Sequence, residues 1–396
     1  MQPDIKRTIR KIYAYQAVKD FILLYPLYVI LFASHGLSTF QISTLFILWS
    51  LTDLVTNVPM GVLADKFSRK HLLALGMLIE ALGFLAWWLW PTYLGFALGF
   101  ILWGTGGGLS DGTYEALVFD ELKGAGIEGQ YVKINGRAAS FALVANCLAT
   151  VLAGVAIVLG YGFVISMSMA AVLLSALFAL SLPDTPRYEQ VADTRYFAML
   201  SEGIKRALHN RTLLALILLG SFIGTIYGVI EEYVPLFLHQ AGFSIHIVPP
   251  LVALTVLVAA LASFIAHRYE NLSTRTFMTL LVLSGLLLML SGIVLGLGAI
   301  ALIIGYTFFI KLLSTIFDGK VQHSIRGGLR ATITSVSIFV VEIMSIATYL
   351  VYGVLSRHGG NFASFKYIGA FVALVALGYL LLAPRLLSAR AAPVSG

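Results

Sequence analysis

Ten carboxylates and amines stand inside runs of apolar residues, and their types and spacing define the chemistry open to this chain. Lys19 and Asp20 are adjacent, Asp53 has Asn57 one helical turn on, and Glu80 stands apart. Asp111 and Glu115 are four apart, hence on one face of any helix that holds them. Glu231 and Glu232 are adjacent and must point different ways; Lys311 and Glu342 complete the set. A charge at the centre of an apolar layer costs about 2.5–3.5 kcal/mol on insertion scales, so each such group marks a function or a partner. Eight acids face two bases, an imbalance that full ionisation would make markedly negative. Burial and neighbouring carboxylates both disfavour the charged form, so some of these acids are expected to hold protons. Groups of that kind can bind a small solute or carry a proton.

The elements that position them follow from composition. The chain has 396 residues, 59% of them apolar and only 11% charged. A soluble domain has about 45–50% apolar and about 25% charged residues, so the solvent of this chain is mostly lipid. Twelve apolar runs are long enough to cross a bilayer: 12–34, 40–62, 70–90, 94–119, 136–160, 162–182, 212–237, 246–267, 274–296, 298–317, 331–356 and 364–384. They are too long and too continuously apolar for barrel strands. The first run follows Lys6, Arg7, Arg10 and Lys11 and lacks a small-residue cleavage site, so it reads as a membrane helix and not a removable signal.

Of the 26 Lys and Arg residues, 22 fall on one side if the chain crosses twelve times; only Arg357 and Lys366 fall on the other, with Lys19 and Lys311 embedded. Basic loops stay cytoplasmic. Both termini are therefore expected in the cytoplasm, in a multi-pass plasma membrane protein. The net charge of +7 is topological and no sign of nucleic acid. The polar stretch 183–211 divides the chain near its middle, and its part from Arg195 to His209 has the spacing of an interfacial helix.

The halves repeat weakly. Tyr25-Pro26-Leu27 and Gly36-Leu37-Ser38 correspond to Val234-Pro235-Leu236 and Gly242-Phe243-Ser244, and Arg137-Ala138 to Arg330-Ala331. The expected organisation is an N-terminal six-helix bundle over 1–190, a linker with an interfacial helix over 191–211, and a C-terminal six-helix bundle over 212–396.

Between runs two and three stands Gly61-Val62-Leu63-Ala64-Asp65-Lys66-Phe67-Ser68-Arg69-Lys70. It resembles the signature loop of the major facilitator superfamily, a Gly-x-Leu-Ala-Asp-Arg-x-Gly-Arg-Lys pattern, with Ser68 in place of the second glycine. The resemblance covers essentially the whole chain and is strongest to poorly characterised bacterial members. It implies an all-α membrane protein of twelve transmembrane helices in two pseudo-symmetric six-helix halves. It also implies a gating motif in which Gly61 permits close helix approach, Asp65 meets the start of run eleven, and Arg69 pairs with Asp120 at the end of run four. The corresponding loop between runs eight and nine is degenerate, with His267 where the acid should be.

In that family's layout helices one, four, seven and ten line a central path, with two, five, eight and eleven beside them. Asp111, Glu115, Asp53, Asp20, Glu231, Glu342 and Lys311 then become candidates for substrate or proton binding, with Asp111 first. Glu80 falls on a scaffold helix, where a structural hydrogen bond is expected. The glycine stretch Gly104–Gly108 is read as a close-packing surface. Drug-antiporter members usually carry an Arg in helix four and a Gly-Pro-x-x-Gly-Gly element in helix five; both are absent here.

No enzyme constellation, metal site, cofactor motif or phosphate loop is present in the sequence, and Gly124-Ala125-Gly126-Ile127-Glu128-Gly129 has no strand before it to make it a dinucleotide site. The expected function is secondary active transport by alternating access, with proton-coupled efflux of an amphipathic or cationic compound leading. Proton-coupled uptake of a nutrient or metabolite is the alternative, and a non-transporting sensor or lipid scramblase the alternative of another class. The expected partners are a small-molecule substrate, protons and the bilayer, with the chain acting as a monomer.

Overall fold

A run of apolar residues in lipid must satisfy its backbone internally, which leaves the helix as the only open-ended solution. The computed structural model follows that rule: every regular element among the described residues is helical. It describes residues 3–184, 211–324 and 330–382, without the side chains of 57–62, 64–66, 111, 330–335 and a few residues at segment ends. The interfacial helix expected within 185–210 lies outside the described residues. The elements are α1 (Pro3–Lys19), α2 (Tyr28–Ser34), α3 (Thr39–Lys66), α4 (Arg69–Leu89), α5 (Tyr93–Gly124), α6 (Tyr131–Ala156) and α7 (Tyr161–Leu180). There follow α8 (Arg211–Gln240), α9 (Val248–Ile265), α10 (Thr274–Ser291), α11 (Leu297–Ser324), α12 (Arg330–Ser356) and α13 (Gly360–Leu382). Ten helices among the described residues are long and apolar enough to cross a membrane.

Two compact units are present. Unit 1 comprises Met1–Leu37, Leu45–Asp193 and Ile245–Pro250; unit 2 comprises Ser38–Thr44, Thr194–Ser244 and Leu251–Gly396. In unit 1, α4 packs on α5 and α7, and α1 on α6 and α7; in unit 2, α10 packs on α13 and α11, and α8 on α12 and α11. Glycines bring the backbones together in both. A Cβ on Gly106 would sit 2.6 Å from the carbonyl oxygen of Gly76, and one on Gly83 would sit 2.9 Å from that of Gly99. In unit 2 a Cβ on Gly285 would sit 2.8 Å from the carbonyl oxygen of Gly369. Lipid gives helices no hydrophobic reason to associate, so backbone proximity at small residues supplies the attraction instead.

The repeated Gly-x-Ser segments have one structure. Gly36 has φ +85° and Gly242 φ +104°. In each, the glycine N–H and the next N–H turn back onto the preceding helix: Gly36 to Ala33 O and Leu37 to Phe32 O, Gly242 to His239 O and Phe243 to Leu238 O. That is the left-handed helix stop in which only glycine escapes a Cβ clash.

Two expectations need correction. The first run is not one helix: α1 ends at Lys19, and regular helix resumes only at Tyr28. Pro26 has no N–H to give and restricts Tyr25 before it, yet Pro235 at the repeated position lies inside the unbroken α8. What distinguishes the first run is an outside partner. The Leu24 N–H is accepted by Ser168 Oγ of α7 at 3.1 Å, while the Leu24 carbonyl accepts from both Leu27 and Tyr28 at 2.9 Å. Second, the signature stretch is barely a loop. Residues 61–66 are the last turns of α3, Arg69 and Lys70 open α4, and only Phe67 and Ser68 lie between.

Candidate functional site

Each unit carries ionisable and aromatic groups on its membrane helices. In unit 1 the direction can be read from exposure. The exposed apolar residues Leu94, Leu98 and Ile101 of α5 follow one face, and Trp103, Gly107, Ser110 and Tyr114 follow the opposite one. On α3 the exposed Leu51 and Val55 lie opposite Trp49, Asp53 and Thr56. The inner face of α5 meets α1: Lys19 Nζ donates to Ser110 Oγ at 3.3 Å, and Tyr15 stacks on Tyr114 with ring centres 5.7 Å apart. Asp20 is half-buried at the start of the broken segment, and Asp53 is half-buried on α3. Glu115 is exposed and lies beside Tyr131. Asp111 belongs to α5, but its side chain lies outside the described residues. Glu80 is buried on α4 at 2% exposure, against the backbone crossing at Gly106.

Above this polar patch sits an aromatic cluster. Trp103 lies nearly parallel to Tyr25 (5.5 Å, 16°), Trp49 (5.8 Å, 28°) and Phe100 (6.0 Å, 6°), and Phe84 and Trp87 meet it edge-on at 5.5 Å. Phe84, Trp87 and Phe100 are fully buried, whereas Tyr25, Trp49 and Trp103 remain half-buried at the edge.

In unit 2, Glu231 is exposed on α8 and accepts a hydrogen bond from Tyr227, one turn earlier on the same helix. Lys311 of α11 holds its ammonium 4.7 Å from the centre of the Tyr227 ring and attracts both Glu231 and Asp318. A cation over a tyrosine face contributes about 0.5–2 kcal/mol. Tyr306, on the same helix as Lys311, donates to the Ile226 carbonyl at 3.2 Å and so fixes α11 on α8. Glu232 and the half-buried Glu342 share the surroundings of the buried Tyr349. The structure thus brings Glu231, Lys311 and Tyr227 into one group, and places Glu232 and Glu342 about a second tyrosine.

At the signature stretch Arg69 Nη1 donates to Asp120 and, at 2.8 Å, to the Ala116 carbonyl. Ser68 Oγ donates to Asp184 at 2.8 Å, and Lys70 lies 3.9 Å from the same carboxylate. Gly61 and Asp65 lie in α3, with their side-chain surroundings outside the described residues. Next to Asp120, beyond the apolar run, Glu121 is buried with its Oε1 unpartnered. Burial first, and the charge of Asp120 second, push its carboxyl up to about 7.

The Major Facilitator Superfamily model matches residues 18–349. The chain belongs to that superfamily. No curated protein matches it in sequence. Among solved structures it is similar to a variant of the nucleoside transporter NupG, with 14% identity, 95% of this chain and 98% of the other covered, and a TM-score of 0.78. A bacterial homologue of the human lysosomal transporter Spinster in an inward-facing, unoccupied conformation gives 14% identity, 98% coverage of both chains and a TM-score of 0.76. A D-xylose-proton symporter gives 14% identity, coverage of 94% and 96%, and a TM-score of 0.69. At these identities the likeness establishes a shared fold. The chain is a membrane transporter of the major facilitator fold and not an enzyme.

Within that fold the sequence reading missed Asp318 and the aromatic members of the site. Tyr227 precedes Glu231 by four residues and Asp318 follows Lys311 by seven, so helical periodicity alone would have placed each pair on one face. Tyr25, Trp49 and Trp103 come from three elements, and no spacing links them.

Proposed function

We propose that this protein exports a small amphipathic or cationic compound from the cytoplasm in exchange for protons, with both termini cytoplasmic. The observation that carries this reading is the Glu231–Tyr227–Lys311 group. An exposed carboxylate on a membrane helix, hydrogen-bonded by a phenol and facing an ammonium, has two states of different net charge. Protonation of Glu231 removes the counter-charge of Lys311 and weakens the Tyr227 hydrogen bond, because a neutral acceptor is poorer than a charged one. A proton therefore changes which solute the group attracts. Asp111 with Glu115 on α5, and Asp53 and Asp20 beside them, are the proposed counterparts in the other unit.

Proteoliposomes loaded with a pH-sensitive dye and exposed to an amphipathic amine test the reading. Wild type should move protons when the amine is added, and an imposed pH gradient should drive accumulation. Glu231→Gln should keep downhill exchange of labelled amine but lose gradient-driven accumulation. Full accumulation by this variant removes Glu231 from coupling.

Uptake is the second reading, and Lys311 favours it, since an exposed-side ammonium suits a hydroxylated or anionic solute better than a cation. The similar solved structures include a D-xylose-proton symporter and a nucleoside transporter. Accumulation in the direction of the proton gradient, instead of against it, would select that reading.

A further inference from the structure

We infer that unit 1 carries a binding shelf for a flat aromatic ring bearing a protonated amine. The inference rests on the transport reading above and names the class of solute within it. Tyr25, Trp49 and Trp103 stand at the edge of a cluster whose other rings are fully buried, so part of each remains accessible. Trp49 and Trp103 face away from the exposed apolar stripes of α3 and α5, and Tyr25 stacks on Trp103, which places that accessible surface on the side turned from lipid. Aromatic residues that only filled the core would be covered like Phe84, Trp87 and Phe100.

The glycines beside the shelf divide by role. Gly104 meets Trp49 and Thr52 within 3.3 Å of an added Cβ, and Gly106 meets the α4 backbone. Gly107, one turn beyond Trp103 on the same face, would meet nothing within 4 Å. Close packing therefore explains two of these glycines and leaves Gly107 as open floor next to an accessible indole. The break in the first run supplies the third wall. With helix interrupted from Asp20 to Leu27 and Leu24 held by Ser168, Tyr25 reaches Trp103 from outside any helix. Non-helical backbone at membrane depth is tolerated where it is buried in protein or lines a polar cavity.

Charge sets the rest of the ligand. Asp53 shares the face of Trp49 one turn on, and Asp20 opens the broken segment. Lys19 is held on Ser110, seven residues beyond Trp103, about 10 Å along the helix. A ring over Gly107 against Trp103 can thus place an ammonium toward Asp53, where aromatic faces and a carboxylate both attract it.

Isothermal titration of the full-length protein in detergent tests the shelf with two probes: proflavine, a flat aromatic cation, and tetrapropylammonium, a cation without a ring. Proflavine should bind at least about tenfold more tightly than tetrapropylammonium, since stacking adds to charge only for the former. Trp103→Leu and Gly107→Leu should each weaken proflavine by about tenfold or more. Trp90→Leu, an exposed indole just past the end of α4, should change nothing. The Cβ added at Gly107 meets nothing within 4 Å, so the thermal midpoint of Gly107→Leu should be no lower than wild type, and that measurement separates lost binding from misfolding. Absence of proflavine binding to wild type, equal binding by Gly107→Leu, or equal affinity for both probes would each overturn the shelf. Proflavine that binds but is not moved by a pH gradient would overturn the coupling and leave the shelf standing. Gradient-driven accumulation of a non-aromatic solute, with no proflavine bound, would do the reverse.

Discussion

Two adjacent glycines of α5 should respond oppositely to the same substitution. A Cβ at Gly106 would lie 2.6 Å from the Gly76 carbonyl oxygen, 3.2 Å from Glu80 N and 3.3 Å from Glu80 Cβ. The first two are backbone atoms of α4 and cannot rotate aside, so the helices must separate. Overpacking of that kind costs about 1–3 kcal/mol, offset by up to about 1 kcal/mol because alanine is the better helix former. The net expectation for Gly106→Ala is a loss of about 1–2 kcal/mol. At Gly107 the added methyl meets nothing within 4 Å, so only the helix-propensity gain remains, at most about 1 kcal/mol. The propensity gain is common to both, so the two variants should differ by the overpacking cost alone, about 1–3 kcal/mol, or several degrees in unfolding midpoint at about 2 °C per kcal/mol. Tryptophan emission during heating in detergent, at one scan rate, measures the ordering. If Gly107→Ala proves as damaging as Gly106→Ala, the α4–α5 backbone contact is not what holds this pair of helices together.

Four further outcomes are expected. Ser168→Ala strands the buried Leu24 N–H and should cost about 1–3 kcal/mol in unfolding experiments, with Ser168→Thr largely restoring the wild-type value; an unchanged midpoint would mean the broken segment needs no such partner. Asp120→Asn leaves the Arg69 guanidinium without its counter-charge and should lower stability by about 3 kcal/mol. Asp65→Asn should instead shift the spread of distances between spin labels on the cytoplasmic helix ends toward the inward-open form, with the helices still folded, and unaltered distances would remove its gating role. Glu121 gives a pH dependence whose sign is fixed: its carboxyl, raised from 4.5 to about 7, takes up a proton in the folded state before the unfolded one. Its contribution is fully present below about pH 4.5, declines as pH rises from there, and is lost once pH passes about 7. The midpoint should fall between about pH 5 and 7 and level off above that, and Glu121→Gln should flatten that fall; an equal slope in the variant would assign it to other groups.

The sequence by itself determined the all-helical membrane fold, because twenty apolar residues in lipid have only one way to satisfy their backbone. It also placed Gly36 and Gly242 at matching points of a weak repeat, and the structure made both left-handed helix stops, a turn that only glycine tolerates. The signature motif was legible for a related reason: its members lie within ten residues of one another, and the family pattern spaces them. Arg69 was matched with Asp120 only through that family, because fifty-one positions separate them. The tertiary structure alone decided the break after Lys19. Hydropathy sees an unbroken run there, while the event depends on a serine hydroxyl 144 residues away. It also decided which embedded groups stand together. Periodicity places two residues on one face of one helix, but Lys311 meets Tyr227 and Tyr25 meets Trp103 across helices, and only packing sets those distances.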